Sequence, residues 1–294
     1  SWEELQVFLK RGVKRPDLRN DAALEQVHWS TNRKGDWPQV RIFAFDHRIQ
    51  LETLAGEAGA GPERIGQFKT LCLQAALDVA EWPGSRPLAL EPDLGPDCGG
   101  LHSWPRDHVV KVLCFCHPDD DDELQARQEE TLLRLFTAAR RNALEFLLEI
   151  IPSKVAPVTD DSAARLIRRL YAIGIFPDWW KLEPMRSAAA WQAACQAIQE
   201  NDPHVRGVVI LGLDAPEAEL ADSFRAAARF DLVKGFAVGR SIFADAARDW
   251  MKGQISDGQA VEMMKERYER LCGIWEDARA HHLGTREETT GERA

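Results

Sequence analysis

The chain has 294 residues, of which 45% are hydrophobic and 29% are charged, a composition typical of a globular protein and not of a disordered or collagen-like chain. Its formal net charge of −10 repels phosphate backbones and anionic lipids, so we expect neither nucleic acid nor a membrane as a partner. No stretch approaches the roughly 20 apolar residues of a membrane span, and the start, SWEELQ, lacks the pattern of a signal peptide. We therefore expect a cytoplasmic protein.

The first 39 residues predict an N-terminal helical extension that serves as a linker from an upstream domain. Short helices are expected around Trp2–Lys10 and Asp21–Trp29, joined by the basic turn RGVKRP. Because the chain begins without Met inside an amphipathic pattern, we expect it to be part of a longer protein.

Apolar runs and amphipathic helices alternate after this extension. The first apolar run, 40–45, is followed by a Gly-rich loop and a helical segment over 62–80. The later pairs of run and helix are predicted at 109–116 and 120–141, 143–151 and 162–173, 177–183 and 188–199, 206–213 and 216–229, and 232–239 and 242–252, with a last helix over 258–280.

This alternation predicts parallel strands covered on both faces, and therefore an α/β fold. A (β/α)8 TIM barrel over 40–283 fits better than a doubly wound sheet, since no GxGxxG follows the first strand and polar residues recur at strand ends. The second and third strands cannot be recognised in the Pro- and Gly-rich sequence after Ala80, apart from a short strand near Leu88–Leu90. The polar segment 284–294 predicts a disordered tail.

The sequence offers only weak candidates for a metal site. Cys114, Cys116 and His117 could be ligands, but the two cysteines belong to an apolar run, where thiols commonly pack in a core. The acidic run Asp119–Glu123 could hold a cation, although acidic residues in the first turn of a helix complement its dipole. We expect no metal, no cofactor and six free thiols.

Ionisable side chains inside doubly buried strands are costly unless they are paired or functional. Lys111, Glu149 and Lys181 lie within apolar runs, and Asp46 ends the first run. A desolvated lysine beside another cation is more readily deprotonated and can attack a ketone to give a Schiff base, while a carboxylate such as Glu149 can act as base. A purely structural Lys111–Glu149 ion pair is the alternative interpretation.

Glycines at the ends of the last two strands predict a phosphate site. Gly212 in LGLDAP and Gly239 in GFAVGR let backbone N–H groups approach an anion, and Arg240 opens the following helix. TIM barrels commonly bind phosphate in the loops after their seventh and eighth strands.

Five segments resemble the strand-end motifs of the class I tagatose-1,6-bisphosphate aldolase group of TIM barrels, namely AFDHR, VKVLCFCHPDD, LLEI, DWWKLEP and GFAVGRSIFAD. From SWEELQVFLKRG onward the chain is most similar to the aldolase-like (DUF2090) domain that follows a ribokinase-type sugar kinase in bacterial bifunctional proteins of myo-inositol catabolism. HWSTNRKGDWPQVRIFAFDHR and WPGSRPLALEP resemble that subfamily in particular. After Ala80 the chain departs from the family pattern, since the acidic motif of the second strand is missing.

The resemblance implies cleavage of 6-phospho-5-dehydro-2-deoxy-D-gluconate to dihydroxyacetone phosphate and malonate semialdehyde. It aligns Lys181 with the Schiff-base lysine, Lys111 with the second active-site lysine and Glu149 with the catalytic carboxylate, and Asp46 lies in the first-strand motif. Gly212, Gly239 and Arg240 match the phosphate loops of the family. Arg48 is a separate candidate for binding the substrate carboxylate.

The implied partners are a phosphorylated sugar acid and an upstream ribokinase-type kinase domain. Two alternatives are a metal-dependent aldolase that uses His47, His102 or His117, and a non-catalytic domain that binds sugar phosphate and regulates or scaffolds the kinase. No clustered ligand pattern favours the metal enzyme.

A homo-oligomer is a further expectation. Trp2, Trp250 and Trp275 are candidate interface anchors. Tryptophans on amphipathic helices at the outside of a barrel, however, more commonly pack within their own chain.

Overall fold

The computed structural model describes residues 18–33, 35–79, 89–90, 98–185 and 187–291. Its strands are β1 (Val40–Phe43), β2 (Ala89–Leu90), β3 (Val109–Cys114), β4 (Glu145–Ile150), β5 (Trp179–Leu182), β6 (Gly207–Leu211) and β7 (Val233–Val238). Its helices are α1 (Leu18–Asn32), α2 (Ile49–Glu57), α3 (Pro62–Leu77), α4 (Asp122–Arg141), α5 (Ser162–Ala172), α6 (Ala188–Asn201), α7 (Glu217–Ala227), α8 (Arg240–Met251) and α9 (Asp257–Gly291). The predicted α/β alternation is confirmed.

All neighbouring strands are parallel, in the order β1-β7-β6-β5-β4-β3-β2. An eight-strand barrel is not confirmed, because the described sheet has seven strands and its edge strands β1 and β2 are not paired with each other. The short β2 agrees with the strand expected near Leu90. Residues 80–88, where a further strand was expected, lie outside the described part of the chain.

The sheet curls around an apolar core of its own. Five buried side chains from five strands contact one another, and partly buried residues of β1 and the preceding loop pack against them. The curl also brings Asp46, in the loop after β1, to 2.8 Å from Lys111 of β3. These two strands are five positions apart in the sheet, and a flat sheet would hold them more than about 20 Å apart. The members of this inner cluster are Val109, Leu147, Trp179, Val209 and Ala237, with Trp37, Val40 and Ile42 against them.

The helices cover the outer face of the sheet and form the larger core. In α5, Leu166, Ile167 and Leu170 recur at helical spacing and are buried, as expected of an amphipathic helix. At the start of α4, the Asp121 carboxylate caps the helix by accepting a hydrogen bond from Leu124 N at 2.8 Å. The helix-start interpretation of the acidic run 119–123 is therefore confirmed.

Helix α1 is anchored at the N-terminal end of the strands by the fully buried Asp178. This carboxylate accepts hydrogen bonds from Trp29 Nε1, Arg33 and Arg140, each at 2.6 Å, and from Phe146 N at 2.8 Å. Burial raises the pKa of Asp178, but the two guanidinium groups and the hydrogen bonds outweigh burial and lower it. The predicted extension thus includes a helix that packs at the N-terminal end of the sheet, whereas its other predicted helix, Trp2–Lys10, lies outside the described residues.

The last helix reaches further than predicted. Helix α9 continues to Gly291. The backbone hydrogen bonds of the helix therefore extend into the segment from residue 284 that was expected to be a disordered tail. Trp250 and Trp275 are buried and pack against Phe68 and Phe224 within the chain, so they are not exposed interface anchors; Trp2 is outside the described residues. No described helix is both long and apolar enough to cross a membrane.

Replacement of Gly235 by alanine tests the closure between β1 and β7. A Cβ at Gly235 would overlap the Val40 carbonyl oxygen, so we expect Gly235→Ala to lower the free energy of unfolding by more than about 3 kcal/mol. Gly66→Ala is the matched control, because nothing lies within 4 Å of a Cβ there and alanine favours the helix by up to about 1 kcal/mol. Urea unfolding checks both, and an unchanged midpoint for Gly235→Ala would contradict the expectation.

Candidate active site

Three charged side chains lie on the inner face of the sheet, one step beyond the apolar inner cluster. Glu149 of β4 is directly opposite Lys181 of β5 in the parallel register. Lys111 of β3 is opposite Leu147, two residues before Glu149 on the same face. The alternation of side chains along each strand therefore brings all three to one place near the carboxyl ends of the strands.

One carboxylate oxygen joins the two lysines. Lys111 Nζ and Lys181 Nζ each lie 3.1 Å from Glu149 Oε2. On its other side, Lys111 Nζ lies 2.8 Å from Oδ2 of Asp46, in the loop that follows β1. We call Asp46, Lys111, Glu149 and Lys181 the lysine cluster; its members come from four different segments of the chain.

The lysine cluster is largely withdrawn from water. The side chains of Lys111, Glu149 and Lys181 are 10%, 7% and 8% exposed, and that of Asp46 is 24% exposed. Burial raises the pKa of Asp46, but attraction by Lys111 and Lys181 and the hydrogen bond from Lys111 outweigh it and lower the pKa to about 2. Asp46 is therefore ionised at neutral pH.

This arrangement fits both the structural and the catalytic interpretation of the buried charges. The Lys111–Glu149 ion pair expected under the structural interpretation is present, and two carboxylates compensate two buried ammonium groups. The same geometry places a primary amine beside a carboxylate within hydrogen-bond distance, which is what a nucleophile and its proton acceptor require.

The predicted phosphate loops lie after β6 and β7. Gly212 follows β6, and Gly239 immediately precedes Arg240, the first residue of α8. A Cβ at Gly239 would overlap the Ala44 carbonyl oxygen and the His47 ring, so glycine is needed there for close approach to the loop after β1. The start of α8 has N–H groups that no earlier turn can satisfy, as an anion site requires.

Arg240 has a partner that the sequence reasoning missed. Arg240 is 29% exposed and lies 3.3 Å from Asp214 Oδ2 in the loop after β6. Leu213 and Asp214 both have positive φ, at 49° and 64°, which is unusual for residues other than glycine. The motif LGLDAP contains Asp214, but the sequence does not show that Asp214 pairs with Arg240, because the two residues are 26 positions apart.

Two other residues flank the cluster. Arg48, expected at the substrate carboxylate, is exposed and precedes the first turn of α2. Glu183 lies two residues beyond Lys181. Its carboxylate accepts hydrogen bonds from the backbone nitrogen of Ser153, at 3.2 Å, and from the Ser153 hydroxyl. Burial raises the pKa of Glu183, which those hydrogen bonds partly oppose.

The candidate metal ligands do not form a ligand set. His117 lies 3.2 Å from the Pro157 carbonyl oxygen and joins two loops, while Cys114 and Cys116 are buried thiols. His102 bonds locally to the Gly99 carbonyl oxygen. Among the described residues, no group of three or more His, Cys, Asp or Glu side chains is placed to hold a metal ion.

Comparison with known proteins adds a family and a fold. The sequence model of a family described as an uncharacterized protein conserved in bacteria (DUF2090) matches residues 4–81 and 78–279, two ranges that overlap over residues 78–81. No curated protein matches the chain. Fructose-bisphosphate aldolase from Plasmodium falciparum, crystallised with TRAP and a small-molecule inhibitor, is similar with a TM-score of 0.61 and 12% identity, over 90% of this chain and 96% of that chain. At this identity, the likeness shows the fold.

Removal of Lys111 should change the titration of Asp46. In Lys111→Met the main attraction is lost while burial remains, so we expect the Asp46 pKa to rise from about 2 toward or above the ordinary aspartate value of 3.8. Stability that depends on ionised Asp46 is present above pH 3.8 in the wild type and is lost as the pH falls toward 2.

Carbon-13 NMR of the Asp46 carboxyl carbon measures this pKa. Lys252→Met, which removes an exposed lysine at the end of α8, should leave the titration unchanged, and Lys111→Arg should keep the pKa low. A pKa that stays near 2 in folded Lys111→Met would contradict the assigned cause.

Proposed function

The chain belongs to the DUF2090 family of proteins conserved in bacteria, and we propose that it is a class I aldolase that cleaves a phosphorylated sugar acid through a Schiff base on Lys181. The observation that carries the proposal is the shared Glu149 oxygen, 3.1 Å from both Lys111 and Lys181. The likeness to an aldolase fold supports it.

Lys181 acts as the nucleophile in this proposal. Its amine adds to the substrate ketone, and loss of water gives an iminium ion that can accept an electron pair. Glu149, 3.1 Å away, takes the proton from the amine as the C–N bond forms and returns it to the carbinolamine hydroxyl, which leaves as water. Lys111 holds Glu149 from the other side and supplies positive charge where the carbonyl oxygen becomes more negative.

Carbon–carbon cleavage follows from the position of the iminium. With the ketone at C5 of 6-phospho-5-dehydro-2-deoxy-D-gluconate, the C3 hydroxyl loses its proton to Glu149 and the C3–C4 bond breaks toward the iminium nitrogen. The C1–C3 fragment leaves as malonate semialdehyde. Protonation of the enamine at C4 and addition of water then release dihydroxyacetone phosphate and the free lysine.

The charges around the cluster suit such a substrate. In our proposal the phosphoryl group binds at Gly212, Gly239 and Arg240, where Arg240 would exchange its contact with Asp214 for the ligand, and Arg48 meets the carboxylate. Local positive charge thus attracts an anionic substrate to a protein of net charge −10. A ribokinase-type kinase domain upstream would supply the phosphoryl group, and both activities would reside in the cytoplasm.

Borohydride trapping tests the nucleophile. With substrate present, reduction should add a stable mass to Lys181 and inactivate the protein. Lys181→Met should give no adduct and lose cleavage by about 10³-fold or more, whereas Lys252→Met should behave as wild type. Peptide mass spectrometry locates the adduct, and full activity in Lys181→Met would refute the assignment. If no adduct forms and EDTA abolishes cleavage, the protein is a metal enzyme. If the substrate binds but is not cleaved, the protein is a regulatory module.

Glu149→Gln separates proton transfer from binding. Loss of the base should lower kcat by about 10²–10⁴-fold, while Lys181 stays in place to be trapped. The melting temperature is measured in parallel, because removal of one charge from a buried pair destabilises the fold. Unchanged kcat in the folded variant would remove Glu149 from the mechanism.

A further inference from the structure

His47 has no role in the chemistry proposed above, yet its ring lies between the lysine cluster and the start of α8. Its Nδ1 is 3.9 Å from Asp46 Oδ1. On the other side, the ring packs edge-on against Phe243, with ring centroids 5.1 Å apart, and a Cβ at Gly239 would overlap its Cε1. Contacts on two sides therefore fix the position of the ring.

The imidazole of His47 is neutral at physiological pH. Burial lowers its pKa, and repulsion by Lys181, Arg240 and Lys111 lowers it further, while Asp46 opposes this; the pKa is about 4. A neutral imidazole has one donor and one acceptor nitrogen. His47 can thus form directional hydrogen bonds without adding a positive charge to a site that already contains three cations.

The neighbouring carboxylate selects the tautomer. Asp46 is ionised and can only accept hydrogen bonds, so it favours the proton on Nδ1, the nitrogen that faces it. Nδ1 is buried and has no hydrogen-bond partner among the described residues, since Asp46 is just beyond hydrogen-bond distance. The side chain is 21% exposed, and Nε2 is the acceptor nitrogen in this tautomer.

We propose that His47 Nε2 accepts a hydrogen bond from a substrate hydroxyl, the one on the three-carbon phosphorylated fragment next to the carbonyl that Lys181 attacks. A phosphoryl oxygen would present lone pairs to an acceptor nitrogen, whereas a hydroxyl donates to it. His47 therefore selects a hydroxylated fragment over its deoxy counterpart. The inference rests on the proposed function for the placement of substrate between Lys181 and Arg240.

Binding of two unreactive probes tests the inference without catalysis. Glycerol 3-phosphate and propane-1,2-diol 1-phosphate differ only in the terminal hydroxyl, and neither has a carbonyl that could form an imine. By titration calorimetry, we expect the wild type to bind glycerol 3-phosphate about tenfold more tightly. In His47→Phe, which keeps an aromatic ring against Phe243, this ratio should fall to about one.

Two further variants control for indirect effects. Arg240→Ala should weaken both probes to the same extent and keep their ratio, and His28→Asn, on the exposed face of α1, should change neither. Where His47→Phe fails to fold, His47→Asn takes its place. An increase in KM with little change in kcat for the His47 variant is the matching kinetic result.

The outcomes separate this inference from the proposed function. A ratio that persists in the folded His47 variant, equal affinities in the wild type, or no probe binding at all overturns the role of His47. If the ratio collapses but borohydride traps nothing on Lys181, the hydroxyl contact stands and the aldolase proposal fails.

Discussion

The candidate site depends on one buried carboxylate. Glu149 separates two ammonium groups that would otherwise repel each other inside the sheet, and its Oε2 is 3.1 Å from each. Isolated charges at this depth would cost several kcal/mol each, so the burial of Lys111 and Lys181 is tolerable only because Glu149 and Asp46 lie beside them. The parallel register, in which Glu149 is opposite Lys181, makes this compensation possible.

The two ends of the sheet have different roles. At the amino ends of the strands, the fully buried Asp178 carboxylate accepts hydrogen bonds from α1, from Arg33 directly after it, from α4 and from β4, which rigidifies that end. At the carboxyl ends, loops bring together Asp46, Arg240 and glycines that allow close approach. Structural stabilisation and candidate catalysis are thus segregated, as is general for barrels of this type.

The charged groups of the site also determine the protonation states of Asp46 and His47. Asp46 stays ionised because attraction by Lys111 and Lys181 outweighs its burial. His47 stays neutral because burial disfavours the imidazolium and the same lysines repel it. Under the proposed function, the site would present cations to the phosphoryl group, a carboxylate to the reacting amine and an uncharged acceptor to a hydroxyl. Each of these groups has a different element of the fold to hold it, so a substrate must reach several strand ends at once.

The sequence by itself determined the alternation of strands and helices and identified Lys111, Glu149 and Lys181, because periodicity is local and a charge within an apolar run is conspicuous. It also placed the start of α4 within the acidic run 119–123. Only the tertiary structure decided that Lys111 contacts both Asp46 and Glu149, that Arg240 meets Asp214 and that the described sheet has seven strands. Such contacts join residues far apart in the chain, so they depend on register and closure, which local patterns do not encode.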